Sequence, residues 1–183
     1  MALLAENLVD EWLNRQGFFT IRGLKQTIEE IDLLAIKYGP TPSARHVEVQ
    51  ISFRPVSYIT PLTRDLQKEL GKSRSSAFHR KEDQLKLCVV NWVDKKFKDK
   101  DKAAIREALW SGLKWEYILV HGVVKHKEEL QLIADCGVTL KPLSEILADL
   151  CWSKSPPHTV AAGGDLADLI RYYAEGRKDA VSS

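Results

Sequence analysis

The segment His46 to Phe53, HVEVQISF, alternates apolar and polar residues without a break, and that pattern reads as a β-strand. Successive side chains of a strand point to opposite faces. Val47, Val49, Ile51 and Phe53 therefore share one face, and His46, Glu48, Gln50 and Ser52 the other. A chain built around such a strand must form a sheet, and the flanking segments say of what kind. Thr27 to Lys37 reads as a second, longer strand, separated from the first by the breaker cluster Tyr38 to Ser43. A short connection makes antiparallel pairing the default. Phe18 to Ile21 reads as a shorter strand ended by Arg22-Gly23. Trp115 to Val120 is apolar throughout its second half and reads as a strand buried on both faces. Val138 to Leu140 completes the set.

Helical spacing surrounds these strands. Leu4, Leu8, Trp12 and Leu13 recur at three- and four-residue intervals over 2–16, with Gly17 as a stop. Further helices are expected near 62–70, over 76–97, near 102–111, over 127–134 and from the Ser144 cap to Leu150. The order predicts an α/β fold: a mixed central sheet flanked by helices, with a meander first and crossovers later. Residues 1–151 form its core. Residues 152–164 (WSKSPPHTVAAGG) read as a linker, and 165–173 as a last helix.

Composition narrows the function classes. The chain has 183 residues, 44% hydrophobic and 28% charged, which suffices for a core without disulfide or metal staples. Cys88, Cys136 and Cys151 form no CxxC pair and are odd in number, against a zinc site or disulfide framework. No apolar run is long enough to span a bilayer, and the N-terminal segment lacks the basic region of a secretory signal. A cytoplasmic address and no membrane partner are the expectation. There is no GxxxxGK[ST], GxGxxG or GxSxG motif. Residues 64–102 hold 12 basic and 7 acidic side chains, a stretch suited to a polyanion.

Asp32 lies inside the apolar run Ile31-Asp32-Leu33-Leu34-Ala35-Ile36, where a carboxylate costs several kcal/mol unless paired, wetted or bound to a cation. Antiparallel pairing brings it alongside Glu48 if the register allows. Two confined carboxylates repel, and a hard divalent cation relieves that conflict.

Glu6 on the first helix, the run Glu30 to Ala35, and Glu48-Val49-Gln50 together resemble the motif of the PD-(D/E)XK nuclease superfamily, which has the restriction-endonuclease-like fold. The resemblance covers roughly residues 1–140. Two positions depart from the pattern: Ile31 stands where the motif has proline, and Gln50 where it has lysine. The resemblance implies a Mg²⁺- or Mn²⁺-dependent endonuclease that hydrolyses DNA phosphodiester bonds, often as a homodimer. Asp32 and Glu48, with the Val49 carbonyl, would hold the metal. Gln50 would position water or a phosphate oxygen, and Glu6 would complete a second metal site. A neutral amide cannot supply the positive charge of lysine. Lys25, Arg80 and Lys81 are the candidates to supply it from elsewhere or to contact nucleic acid, and His46 is a candidate phosphate contact. The alternative is a catalytically inactive nucleic-acid-binding or protein-interaction module of the same fold.

Overall fold

A computed structural model of the chain describes residues 2–26, 29–52 and 54–152, together with 165, 168–170 and 172. The elements run α1 (Ala2–Arg15), β1 (Phe19–Gln26), β2 (Glu29–Lys37), β3 (Ser43–Gln50), α2 (Arg64–Leu70), α3 (Glu82–Val93), a π-helical turn (Asp94–Lys98), α4 (Lys100–Leu109), β4 (Trp115–His121), α5 (Lys127–Asp135), β5 (Val138–Pro142) and α6 (Leu143–Trp152). Spatial and chain order of the strands coincide. β1, β2 and β3 form an antiparallel meander, whereas β4 and β5 join in parallel through helical crossovers. This is the mixed α/β sheet flanked by helices that the sequence predicts.

Each face of the sheet is covered because each carries apolar side chains. Leu8, Val9, Trp12 and Leu13 of α1, with Ile146 and Leu150 of α6, pack on Leu33, Ala35, Val47, Val49, Ile118 and Val120. On the opposite face Leu85, Val89, Trp92 and Val93 of α3, Phe97 of the π turn and Ile133 of α5 pack on Leu119 and Val138. The run Ile118 to Val120 is buried from both sides, as its continuous apolarity requires. Among the described residues no helix is long and apolar enough to cross a membrane.

Several element boundaries differ from expectation. β1 does not stop at Arg22-Gly23: Gly23 takes φ 59 and the strand continues to Gln26, held by pairing of Leu24 with Ile31 and Lys25 with Glu30. Only glycine adopts that backbone without strain. The long helix begins at Glu82 rather than 76, because the Lys81 N–H is taken by the Gln84 side chain (3.0 Å) and Arg80 is drawn aside to Thr60. β3 ends at Gln50, and Phe53 lies outside the described residues, as do Thr27, Ile28 and 153–164 of the expected linker 152–164, whose first residue, Trp152, belongs to α6.

The segment between β3 and α2 passes over the sheet's end and is tied down by a fully buried carboxylate. Glu129 of α5 accepts from the backbone N–H of Ile59 (2.7 Å) and Thr60 (2.9 Å) and from the Thr60 hydroxyl (2.6 Å). Arg80 donates to the Thr60 hydroxyl oxygen (3.1 Å) and stacks on Tyr58, its guanidinium 4.1 Å from the ring centre. Glu129→Ala would leave two backbone donors without acceptors and is expected to cost about 2–4 kcal/mol. Urea unfolding with an unchanged m-value would read it, and a loss below ~1 kcal/mol would contradict the tether.

Candidate functional site

The paired register sets the two acids against each other. Leu33 stands opposite Val47, so one step further along the antiparallel ladder Asp32 stands across from Glu48. Directly opposed residues point to the same face. That face is the one beneath α3, the π turn and α4. Five of the eight positions of β3 are buried, His46 and Glu48 of its polar face among them, and the amphipathic pattern of HVEVQISF therefore does not mark a solvent face. The polar side chains are there because they bind one another.

Glu48 is fully buried and its oxygens are shared among three partners. Oε1 accepts from Lys102 Nζ (2.8 Å) and lies 3.2 Å from His46 Nε2; Oε2 accepts from Lys96 Nζ (2.6 Å). Arg106 Nη1 lies 2.9 Å from His46 Nδ1. A guanidinium only donates, so Nδ1 is the acceptor and the imidazole proton sits on Nε2, pointing at Glu48. Burial, and the charges of Arg106 and Lys102, hold the His46 pKa below its usual value and keep the ring neutral. Burial opposes ionisation of Glu48, but the His46 hydrogen bond and the charges of Lys96 and Lys102 outweigh it and bring the pKa down to about 2.

Asp32 has the opposite balance. Among the described residues its one hydrogen-bond donor is the Val49 N–H, 2.7 Å from Oδ2. Burial and the neighbouring charge of Glu48 push its pKa up to about 7, against smaller lowering by Val49 and Lys96. The N–H and C=O of one strand residue point toward the same neighbour, so the Val49 carbonyl is also directed to the Asp32 side. The Gln50 carbonyl points the other way and accepts from Gly122 (3.3 Å).

Asp32 and Gln50 line a cleft of about 740 Å³ whose rim also carries Glu30, Arg64, Gln67, Arg74, Asn91, Lys95 and Lys96. The acids lie on the sheet side. The bases come from α2, the loop after it and the π turn, all within the basic stretch 64–102. Such a cleft suits an anionic chain that meets fixed positive charge on one side and a cation-binding carboxylate on the other.

Asp32, Glu48 and Gln50 are thus gathered at one end of the sheet, and the remaining candidates fall elsewhere. Glu6 pairs with Arg22 (3.9 Å) and exerts only the smallest of the charge effects on Asp32. His46 is no phosphate contact: it is completely buried between Glu48 and Arg106. Arg80 is no nucleic-acid contact either, since it is buried against Thr60 and Tyr58. Lys25 is an exposed lysine facing Glu30 (3.9 Å), and Lys81 is an exposed residue at the start of α3. Neither lines the cleft. The lysines that reach the site are Lys96 and Lys102, which lie in the run KKFKDKDK at the end of the basic stretch 64–102. One signal was available: Phe97, an aromatic among lysines, is buried and marks the inward face of that turn. π turns recur at functional sites because they re-aim side chains out of helical register.

Among the described residues no three His, Cys, Asp or Glu side chains converge as a metal cage. A Mg²⁺-type ion needs fewer protein ligands, one or two carboxylates with water and phosphate oxygens completing the shell. Asp32 and the Val49 carbonyl fit that chemistry as they stand. Glu48 fits it only by sharing Oε2, which Lys96 holds.

No family model and no curated protein matches the chain. Among solved structures it is similar to the crystal structure of a protein of unknown function, AF1548, with 14% identity and a TM-score of 0.46. The match covers 89% of this chain and 64% of that one, so the chain spans under two thirds of that protein's length.

Proposed function

We propose that the protein is a metal-dependent endonuclease-like enzyme acting on nucleic-acid phosphodiesters, DNA foremost, as the resemblance to PD-(D/E)XK nucleases implies. The observation that carries the reading is the opposition of Asp32 and Glu48 at a sheet end beside a cleft rimmed by Arg64, Arg74, Lys95 and Lys96. In this reading Asp32, Glu48 and the Val49 carbonyl hold a divalent ion. When bound, the ion supplies an activated water and neutralises charge developing on the phosphate. Gln50 orients water or a phosphate oxygen by hydrogen bonding. Lys96 supplies the ammonium that position 50 lacks, from the π turn instead of the strand. Arg64, Arg74 and Lys95 follow the sugar-phosphate backbone through contacts blind to sequence.

The test is nicking of supercoiled plasmid in Mg²⁺ or Mn²⁺ by the wild type and by Asp32→Asn. The expected loss is about 10²–10³-fold, the scale of removing one group that stabilises the transition state. Equal nicking by both proteins would end the assignment. The second reading is a binding module without catalysis, favoured by Gln50 and by the saturation of Glu48 with lysines. It predicts salt-sensitive DNA binding and no nicking by the wild type.

A further inference from the structure

The two oxygens of Glu48 are held unequally. Oε1 is bound by His46 and Lys102, whose side chains are 0% and 1% exposed, so neither has water to retreat to. Oε2 is bound by Lys96, whose side chain is 25% exposed and lines the same cleft as Asp32 and Gln50. The Lys96 backbone stays anchored if its side chain moves, because its carbonyl accepts from Lys102 Nζ (3.1 Å). Of the cations on Glu48, Lys96 alone can leave into solvent without stranding a buried charge.

We propose that Lys96 is a displaceable placeholder: it neutralises Glu48 in the metal-free protein, surrenders Oε2 when a divalent cation binds beside Asp32, and turns its ammonium into the cleft toward the phosphate. The proposal rests on the metal-dependent reading above and adds to it an exchange of cations on one carboxylate oxygen. Two positive charges competing for one oxygen repel each other, so the price of metal binding includes the Lys96 contact. The exchange keeps the buried acid compensated in both states. It also brings an ammonium into the cleft only once the metal is there, in a site whose strand offers the neutral Gln50.

The test is Mn²⁺ titration of the full chain by calorimetry, alongside plasmid nicking, for the wild type, Lys96→Met, Lys95→Met and Asp32→Asn. Lys96→Met keeps His46 and Lys102 on Glu48, and Lys96→Gln serves as a second variant should it misfold. The expected result is Mn²⁺ binding about tenfold tighter in Lys96→Met, the size of effect one adjacent charge has on a neighbouring ionisation, together with loss of nicking. Lys95 lines the same cleft but is not among the partners of Glu48, so Lys95→Met is expected to change affinity by no more than about twofold, as a screened charge does. Unchanged or weaker binding in Lys96→Met, or an equal gain in Lys95→Met, overturns the placeholder while leaving the metal site intact. A wild type that binds no Mn²⁺ at millimolar concentration, or binding undiminished in Asp32→Asn, overturns the metal reading and the placeholder with it.

Discussion

Glu48→Ala is expected to destabilise the protein by about 3–5 kcal/mol, the range for stripping one partner from a buried ion pair. The substitution removes the charged acceptor of Lys102, which is 1% exposed and keeps only the Lys96 carbonyl, removes the acceptor of the buried His46 N–H, and takes the counter-charge from Lys96. Lys102 has no route to water, so its ammonium would be left desolvated beside an imidazole that Arg106 already keeps neutral. The cost is then the stranding of these groups more than the loss of attraction to them. The pH dependence follows from the depressed pKa of Glu48, about 2 against 4.5. A carboxylate with a lowered folded-state pKa stabilises above its unfolded value and loses that contribution as pH falls. The Glu48 contribution is therefore complete above pH 4.5 and lost on the way down to about 2. Urea unfolding at pH 7 measures the variant, and a cost under about 1 kcal/mol would mean the lysines find other partners.

Asp32→Asn is expected to act in the opposite direction. The folded state raises the Asp32 pKa from 3.8 to about 7, so the native protein binds a proton that the unfolded chain releases across that interval. Ionised Asp32 thus costs stability. The cost is absent below pH 4, grows between 4 and 7, and is complete above 7. Asparagine keeps an oxygen for the Val49 N–H and carries no charge toward Glu48. At pH 8 without metal the variant is expected to be more stable by about 1–3 kcal/mol, a range discounted for the water that reaches the cleft. At pH 4 the gain is expected to vanish. Millimolar Mg²⁺ is expected to raise the Tm of the wild type and not of the variant, because a ligand stabilises only the form that binds it. An Asp32→Asn protein less stable than wild type at pH 8 would show that burial and Glu48 do not strain this carboxylate. A gain in stability together with the expected loss of nicking would be the pattern of a site where fold and chemistry conflict.

The two acids show what one sequence can and cannot disclose. Their shared face was legible, because strand alternation and a short turn are local rules and the register Leu33 to Val47 obeys them. Their unequal electrostatics were not. Lys96 and Lys102 stand 48 and 54 residues beyond Glu48, and Phe97 alone in KKFKDKDK marks an inward face without telling which lysines reach Glu48. The choice follows from the π turn, which buries Phe97 under the sheet and carries Lys96 to Glu48. His46 and Arg80 misled for the same reason, since a titratable residue on a polar face or at a helix start reads as exposed until a covering layer is known.

The sequence by itself determined the strand set and the mixed sheet, and set Asp32 alongside Glu48 provided the register allowed. Each of these follows from periodicity, breakers and connection length, properties of neighbours along the chain. Only the tertiary structure decided that Glu48 is sealed by two lysines and a neutral histidine, that Asp32 opens on a basic-rimmed cleft, and that Glu129 tethers the segment between β3 and α2. Those outcomes depend on which helix covers which end of the sheet, and that is set by packing between elements distant in the chain.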